Sequence, residues 1–330
     1  MRRELLLRAV PPLLAWYRVC KRDLPWRHCR TPYTALVAEL MLQQTRVEAV
    51  RERYVRFLSR FPTAEALAAA QEDEVLKLWE GLGYYSRARN LHKAAKIVAA
   101  QGFPKDFAGV RALPGVGDYT AGAVCSIALG QKEPAVDGNV LRILSRLYAD
   151  GRCVDDGSVK SEYAGLLREV YPEETADFCE ALMELGAIVC TPNGAPLCGH
   201  CPWRDLCLAR RAGEAERYPV RREKRARKQV EATVLVLRCR DTFALERRGE
   251  GGLLARMWQF PFFEGDAPDF GPVLAQKRAT HVFTHVEWHM TGKLVDVAQP
   301  FAPYVWATAE EIEARYALPS AFSAFKAWLR

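Results

Sequence analysis

From Met1 to about residue 208 the apolar positions recur every three or four residues, the spacing of one face of an α-helix, and alternating β-branched runs are few. Tyr33 to Leu42 predicts one helix, with Leu36, Val37, Leu40 and Met41 as its buried stripe and Glu39 at the margin, and Val47 to Phe61 predicts a second. The run Leu113 to Asn139 breaks at Pro114-Gly115-Val116-Gly117 and restarts as a helix at Tyr119 behind Asp118, a good N-cap. After residue 230 the period shortens to two. Glu231 to Arg238 and Thr242 to Arg247 predict strands, and Ser320 to Leu329 predicts a closing helix. Between the two patterns, Arg217 to Lys228 carries seven basic residues and one acid, the composition of an exposed linker. The expected division is an all-α domain over 1–210, a basic linker over 211–230 and a smaller α+β domain over 231–330.

Composition adds limits. The 330 residues suffice for two cores, and 47 Lys and Arg against 40 Asp and Glu give a net charge of +7, a mild excess that allows a polyanionic partner. No apolar run approaches membrane-spanning length, and the charges near the N-terminus lie too close to its short apolar patch for a secretory signal, so a cytoplasmic protein without a membrane partner is expected. Ten cysteines in such a chain point to reduced thiols, some of them bound to metal. Cys190, Cys198, Cys201 and Cys207 are the candidates, four thiols in eighteen residues as C-x7-C-x2-C-x5-C, a spacing that leaves zinc and iron–sulfur open. The others, Cys20 and Cys29 among them, are taken as structural. The glycine-rich turn between two helices is a helix–hairpin–helix, whose amides at Gly115, Val116 and Gly117 and helix N-terminus suit a phosphate. Asp137 follows across a short loop and can return beside the hairpin, where its carboxylate could face a sugar. Glu39, partly desolvated on its helix, could hold a proton near neutral pH and act as a general acid.

Leu113-Pro-Gly-Val-Gly117, a helix, and Val136-Asp-Gly-Asn-Val140 together resemble the endonuclease III superfamily of DNA glycosylases, and Ala38-Glu-Leu-Met-Leu-Gln-Gln-Thr-Arg-Val47 is similar to the MutY-type adenine glycosylases within it. That resemblance implies removal of adenine mispaired with 8-oxoguanine or guanine from duplex DNA by base flipping, in a monomer with a helical glycosylase fold and a [4Fe–4S] cluster on the four cysteines. It implies that Glu39 protonates adenine, that Asp137 stabilises the cationic sugar with Tyr119 and Asn139 positioning the reacting groups, and that Trp26, Arg27, Gln43 and Glu180 contact the base. Gln44 would fill the gap left in the duplex, and Tyr84 would wedge beside the opposite base. A tyrosine at 119, where strand-cutting relatives carry a lysine nucleophile, implies a monofunctional glycosylase. Gly252-Leu-Leu-Ala-Arg-Met-Trp-Gln-Phe-Pro261 resembles the MutT-like (Nudix) C-terminal domain of the same family without a Nudix box, and Phe283-Thr284-His285 its lesion-reading loop, with Thr for the usual Ser. The first cysteine spacer is one residue longer than the family's, and the segment from Phe263 to Lys277 is shorter. An endonuclease III-like or thymine-mismatch glycosylase and a non-enzymatic lesion-binding scaffold are the alternatives.

Overall fold

A computed structural model describes residues 1–223 and 226–329. Lys224 and Arg225 of the basic segment, and Arg330 at the end of the second expected domain, lie outside the described residues. The chain divides into two compact units, Met1–Ala68 with Lys93–Glu223, and Ala69–His92 with Lys224–Arg330. In chain order the helices are α1 (Arg2–Cys20), α2 (Pro32–Leu42), α3 (Val47–Arg60), α4 (Ala64–Ala68), α5 (Glu72–Leu78), α6 (Ser86–Gln101), α7 (Phe107–Arg111), α8 (Asp118–Ala128), α9 (Gly138–Tyr148), α10 (Gly157–Val170), α11 (Thr175–Ile188), α12 (Leu208–Arg211) and α13 (Ala309–Arg315). No helix among the described residues is long and apolar enough to cross a membrane.

In the first unit α8 packs on α2 and α11, and α11 also packs on α1 and α9. The sequence sets these contacts locally. Thr31 caps α2 in a reciprocal box with Thr34, Pro32 opens its first turn, and everything from Thr34 to Met41 is buried, so Glu39 lies inside the core and not at its margin. Leu13, Tyr17, Leu144, Tyr163, Phe178 and Leu185 join α1, α9, α10 and α11 in one apolar cluster. Gly186 lets α11 approach the start of α9. A Cβ there would lie 2.5 Å from the Cβ of Asn139 and 3.1 Å from its Cα.

The basic segment is not a free tether along its length. Arg146 Nε donates to Tyr218 O at 2.9 Å, Val154 N to Val220 O at 3.0 Å, and Arg221 and Arg222 pair with Asp155 and Asp156 at 2.9 and 2.5 Å. These carbonyls and carboxylates fasten the chain to the helical unit as far as Arg222.

The second unit is built on a mixed sheet of β1 (Lys228–Cys239), β2 (Thr242–Arg247), β3 (Trp258–Gln259), β4 (Phe262–Glu264), β5 (Val273–Val282), β6 (Val286–Asp296) and β7 (Val305–Thr308). Its order is β3-β2-β1-β6-β5, with β4 on β1 and β7 on β2; β1 and β6 run parallel and the other pairs antiparallel. The closing helix expected over Ser320–Leu329 is instead two 3-10 turns, Ser320–Phe322 and Lys326–Leu329. Phe322, Phe325 and Trp328 recur every third residue, and a three-residue turn places such positions on one face. Phe322 and Phe325 are fully buried there, and the Phe325 ring occupies the space above Gly292.

Gly186→Ala should destabilise the chain by about 1–3 kcal/mol, the ordinary cost of overpacking. Gly165→Ala in α10, where an added methyl meets nothing within 4 Å, should be neutral or stabilising by up to about 1 kcal/mol. Denaturant unfolding of both variants checks the pair, and equal effects would remove the close approach as the cause.

Candidate active site

One cavity of about 190 Å³ in the helical unit is lined by seven of the residues expected from sequence: Trp26, Arg27, Glu39, Tyr119, Asp137, Asn139 and Glu180. Burial first, with Asp137 and Glu180 adding to it, pushes the Glu39 carboxyl up to about 7, although a contact with the Tyr119 hydroxyl pulls it partly back. Its Oε2 is buried without a hydrogen-bond partner. Tyr119 is held over the cavity by donating to Met183 Sδ at 3.1 Å.

Asp137 has two duties. Its Oδ1 accepts from Val140 N at 2.8 Å and so caps α9, and its Oδ2 accepts from Asn139 Nδ2 at 2.7 Å. Burial raises its pKa, while these donors and the Arg142 guanidinium oppose the rise. Asn139 is fixed in turn by Arg142, whose Nη2 donates to Asn139 Oδ1 and to Gly186 O, both at 2.8 Å, and whose Nε donates to Cys190 O at 2.7 Å. Sequence reading missed Arg142, although its place one turn beyond Asn139 on the same helix was a usable sign.

Trp26 is both core anchor and cavity wall, with its ring set edge-on to Tyr54 at 5.7 Å and 9% of the residue exposed. Glu180 is buried, and its Oε2 accepts from Tyr17 Oη and from Arg30 at 2.5 Å. Glu184, also missed, is one helical turn further along α11, where the Glu180/Glu184 spacing marks one face. Gln43 and Gln44 do not line the cavity. Gln43 Nε2 donates to Thr120 Oγ1 at 3.1 Å, while Gln44 is exposed in a left-handed conformation (φ 54°) that a non-glycine residue adopts at a cost.

At the hairpin, Asp118 is the first residue of α8 and not its cap. Gly117 is the N-cap, no side chain caps the helix, and the Asp118 carboxylate accepts from Arg111 Nε at 2.6 Å. Only Gly115 of the two glycines has positive φ (78°). Val116 N donates to Leu113 O at 3.1 Å within the turn, so its amide is already engaged, whereas Gly115 and Gly117 are exposed.

Cys190, Cys198, Cys201 and Cys207 line a second cavity of about 20 Å³ with Arg146, Arg204 and Arg210. Burial and neighbouring thiols push Cys198 and Cys207 up and Cys201 to about 12. Arg146 Nη1 donates to Cys190 Sγ at 3.2 Å. Among the described residues no three His, Cys, Asp or Glu side chains converge as ligands of one ion. Cys20 and Cys29, taken as structural, are exposed.

In the second unit the turn before α6 meets the β5–β6 hairpin. Tyr84, exposed at φ 46°, hydrogen-bonds through Oη to Thr284 Oγ1 at 2.5 Å, and Arg87 stacks on its ring at 5.4 Å. Thr284 and His285 are exposed, and His285 O accepts from Lys228 N at 3.0 Å.

Residues 37–168 match the HhH-GPD superfamily of base excision DNA repair proteins, and residues 232–327 match a NUDIX domain. The chain is 33% identical over 257 residues to the adenine DNA glycosylase of Buchnera aphidicola subsp. Schizaphis graminum, covering 76% of this chain and 74% of that one. To the human adenine DNA glycosylase it is 46% identical over 217 residues, 62% of this chain and 40% of the human one, so it spans less than half of that relative's length. Among solved structures it is similar to a thermostable thymine-DNA glycosylase (28% identity, TM-score 0.56, 64% of this chain and 97% of that one). It also shares its fold with endonuclease III trapped on DNA (24% identity, TM-score 0.54, 65% and 97%).

Burial of Glu39 makes a prediction about stability. Folding raises its pKa from 4.5 to about 7. Between those values the folded chain binds a proton that the unfolded chain lacks, so stability falls as pH rises through that window. Glu39→Gln removes this linkage, and should gain on wild type by about 2 kcal/mol between about pH 5.5 and about pH 8 in denaturant unfolding. A constant difference across the range would contradict the burial argument.

Proposed function

We propose that this chain, which belongs to the adenine DNA glycosylases of the HhH-GPD superfamily, flips adenine paired with 8-oxoguanine, or with guanine, out of duplex DNA and hydrolyses its glycosidic bond. The observation that carries the reading is the opposite treatment of two carboxyls on one cavity. Glu39 has an unpartnered oxygen and a pKa near neutrality, which suits a group that gives a proton to the purine. Asp137 is surrounded by donors from Val140, Asn139 and, behind Asn139, Arg142, which suits a group that keeps its negative charge beside a sugar turning cationic. As the N-glycosidic bond breaks and the base leaves with the Glu39 proton, water adds to C1′ and gives its own proton to the carboxylate that Glu39 has become. Tyr119 offers no amine for a Schiff base, so the reaction stops at the abasic site and the enzyme is monofunctional.

Trp26, Arg27 and Glu180 wall the base pocket, Gln43 steadies the turn after α2, and Gln44, pushed outward by its backbone, enters the space the adenine leaves. The exposed Gly115 and Gly117 amides and the uncapped start of α8 take a phosphate. Tyr84, Thr284 and His285 read the opposite base as one hydrogen-bonded group. Cys190, Cys198, Cys201 and Cys207 hold a [4Fe–4S] cluster. Thiols pushed up by burial and by one another need a strongly positive group to ionise, and the four line one cavity, as the ligands of such a cluster would. When bound, the cluster supplies a covalent tie between the end of α11 and α12. The enzyme acts as a monomer on DNA in the bacterial cytoplasm.

Duplexes carrying A opposite 8-oxoguanine, A opposite G and T opposite G test the reading. Free adenine should be released from the first two, and Glu39→Gln should bind the first duplex while losing at least about a hundredfold in single-turnover rate. Release of thymine alone would sink the assignment. Thr284→Ala should lower the preference for 8-oxoguanine over guanine by roughly tenfold, the worth of one base-edge hydrogen bond; an unchanged ratio removes Thr284 as the reader.

Purified protein should be brown and contain iron, and replacing Cys198 with Ala should bleach it. A colourless, active protein with stoichiometric zinc would replace the cluster with a structural zinc site.

A further inference from the structure

Glu184 lines the same cavity as Glu39 and Asp137, yet no step described so far uses it. Its side chain is 1% exposed, and both of its oxygens are taken by two arginines from the segment that follows α1. Arg22 donates to Oε1 through its backbone N at 2.8 Å and Nε at 2.9 Å, and to Oε2 through Nη2 at 2.8 Å. Arg27 donates to Oε2 through Nη2 at 2.9 Å and to Oε1 through Nη1 at 3.3 Å, and Nη1 also reaches Arg22 O at 2.8 Å. Both terminal nitrogens of Arg27 are therefore committed to the protein. Its Nε is the exception, buried without a hydrogen-bond partner on a side chain 10% exposed. The nearest other carboxylate oxygen, Glu180 Oε2, is 3.8 Å away and already accepts from Tyr17 and Arg30.

We propose that Glu184 is a positioning residue for base excision: by gripping Arg27 at both terminal nitrogens it leaves the Nε–H as the donor that meets a ring nitrogen of the extruded purine. This rests on the adenine-excision reading above. A guanidinium has five N–H donors in a rigid fork; three go to Glu184 and Arg22 O, and fixing that edge also fixes where the unpartnered Nε–H points. The neutralising charge matters as well. Two arginines left unbalanced beside the cavity would oppose a base that is becoming protonated and a sugar that is becoming cationic, and Glu184 cancels part of that field without touching either. A fold-only role for the ion pairs would instead place the whole consequence of losing Glu184 in stability.

The test is a double-mutant cycle on the single-turnover release of adenine from the duplex with A opposite 8-oxoguanine. Wild type that releases no adenine refutes the function; wild type that does so leaves the present inference to stand or fall on the variants. Glu184→Gln and Arg27→Gln should each slow release by roughly ten- to a hundredfold while DNA affinity changes by less than about threefold, and the double variant should be no slower than Arg27→Gln alone. Glu184→Asp keeps the charge but draws it back along α11. It should recover part of the lost rate, and it replaces Glu184→Gln in the cycle if that variant does not fold. Losses that multiply in the double variant, or a folded Glu184→Asp or Glu184→Gln as fast as wild type, overturn the proposal.

Discussion

The side chain of Asp137 caps a helix and at the same time lines the cavity, and much of the helical unit is arranged around that constraint. A cap oxygen is ordinarily a local matter between a residue and the amide three positions on. Here the second oxygen is fixed too, by Asn139, and Asn139 is fixed by an arginine buried in α9. Arg142 can sit there because its remaining donors find carbonyls at Gly186 and Cys190, on α11 and just beyond it. The absence of a side chain at Gly186 is what lets those carbonyls come close enough. Cap, helix packing and cysteine loop are thus one mechanical unit, and a displacement of α11 moves the carboxylate.

The cavity then sets two carboxyls against each other. Glu39 receives little help: it lies on a buried helix, keeps one oxygen unpaired, and feels Asp137 and Glu180 as like charges. Each of these favours the protonated form. Asp137 is compensated by amide, amide side chain and a guanidinium behind them. The arginines of the wall are balanced in the same way, since Arg27 and Arg22 share Glu184, while Arg30, outside the lining, leans on Glu180 and Asp177. Buried pairs of this kind contribute little net stability, because desolvation offsets their attraction. Their effect is geometric, and it falls on which donors remain pointed at the cavity.

How much of this could be read from sequence follows from the range of the interactions. Glu39, Asp137, Tyr119 and the four cysteines sit in short runs whose neighbours imply their setting, so the cavity brought together the carboxyls, Tyr119 and Asn139 as expected. Arg142 and Glu184 also act over more than forty and more than one hundred and fifty positions of sequence; the helical spacing to Asn139 and to Glu180 marks the face each shares, but not the distant carbonyls and arginines they hold. Local rules failed where two local solutions competed. Asp118 is as good a cap by type as Asp137, but Arg111 one helix earlier claimed its carboxylate. Ser320 to Leu329 has helical propensity, but aromatic residues every third position found a buried face only in a tighter turn.

Tyr84 carries that lesson to its end. From sequence it belongs to a glycine-flanked turn between two helices, and Thr284 to a hairpin two hundred residues away, so the two were separate candidates for the same task. The hydroxyls meet at 2.5 Å because the turn 81–85 and the hairpin share one compact unit. Tyr84 holds a left-handed backbone, a conformation that costs a tyrosine of order 1 kcal/mol or more and persists only where surrounding contacts over-determine it. Arg87 on the ring and Thr284 on the hydroxyl are those contacts. A change at Thr284 therefore acts on the backbone of Tyr84 as well as on whatever Thr284 itself touches, and the two residues are expected to behave as one group, with effects that do not add.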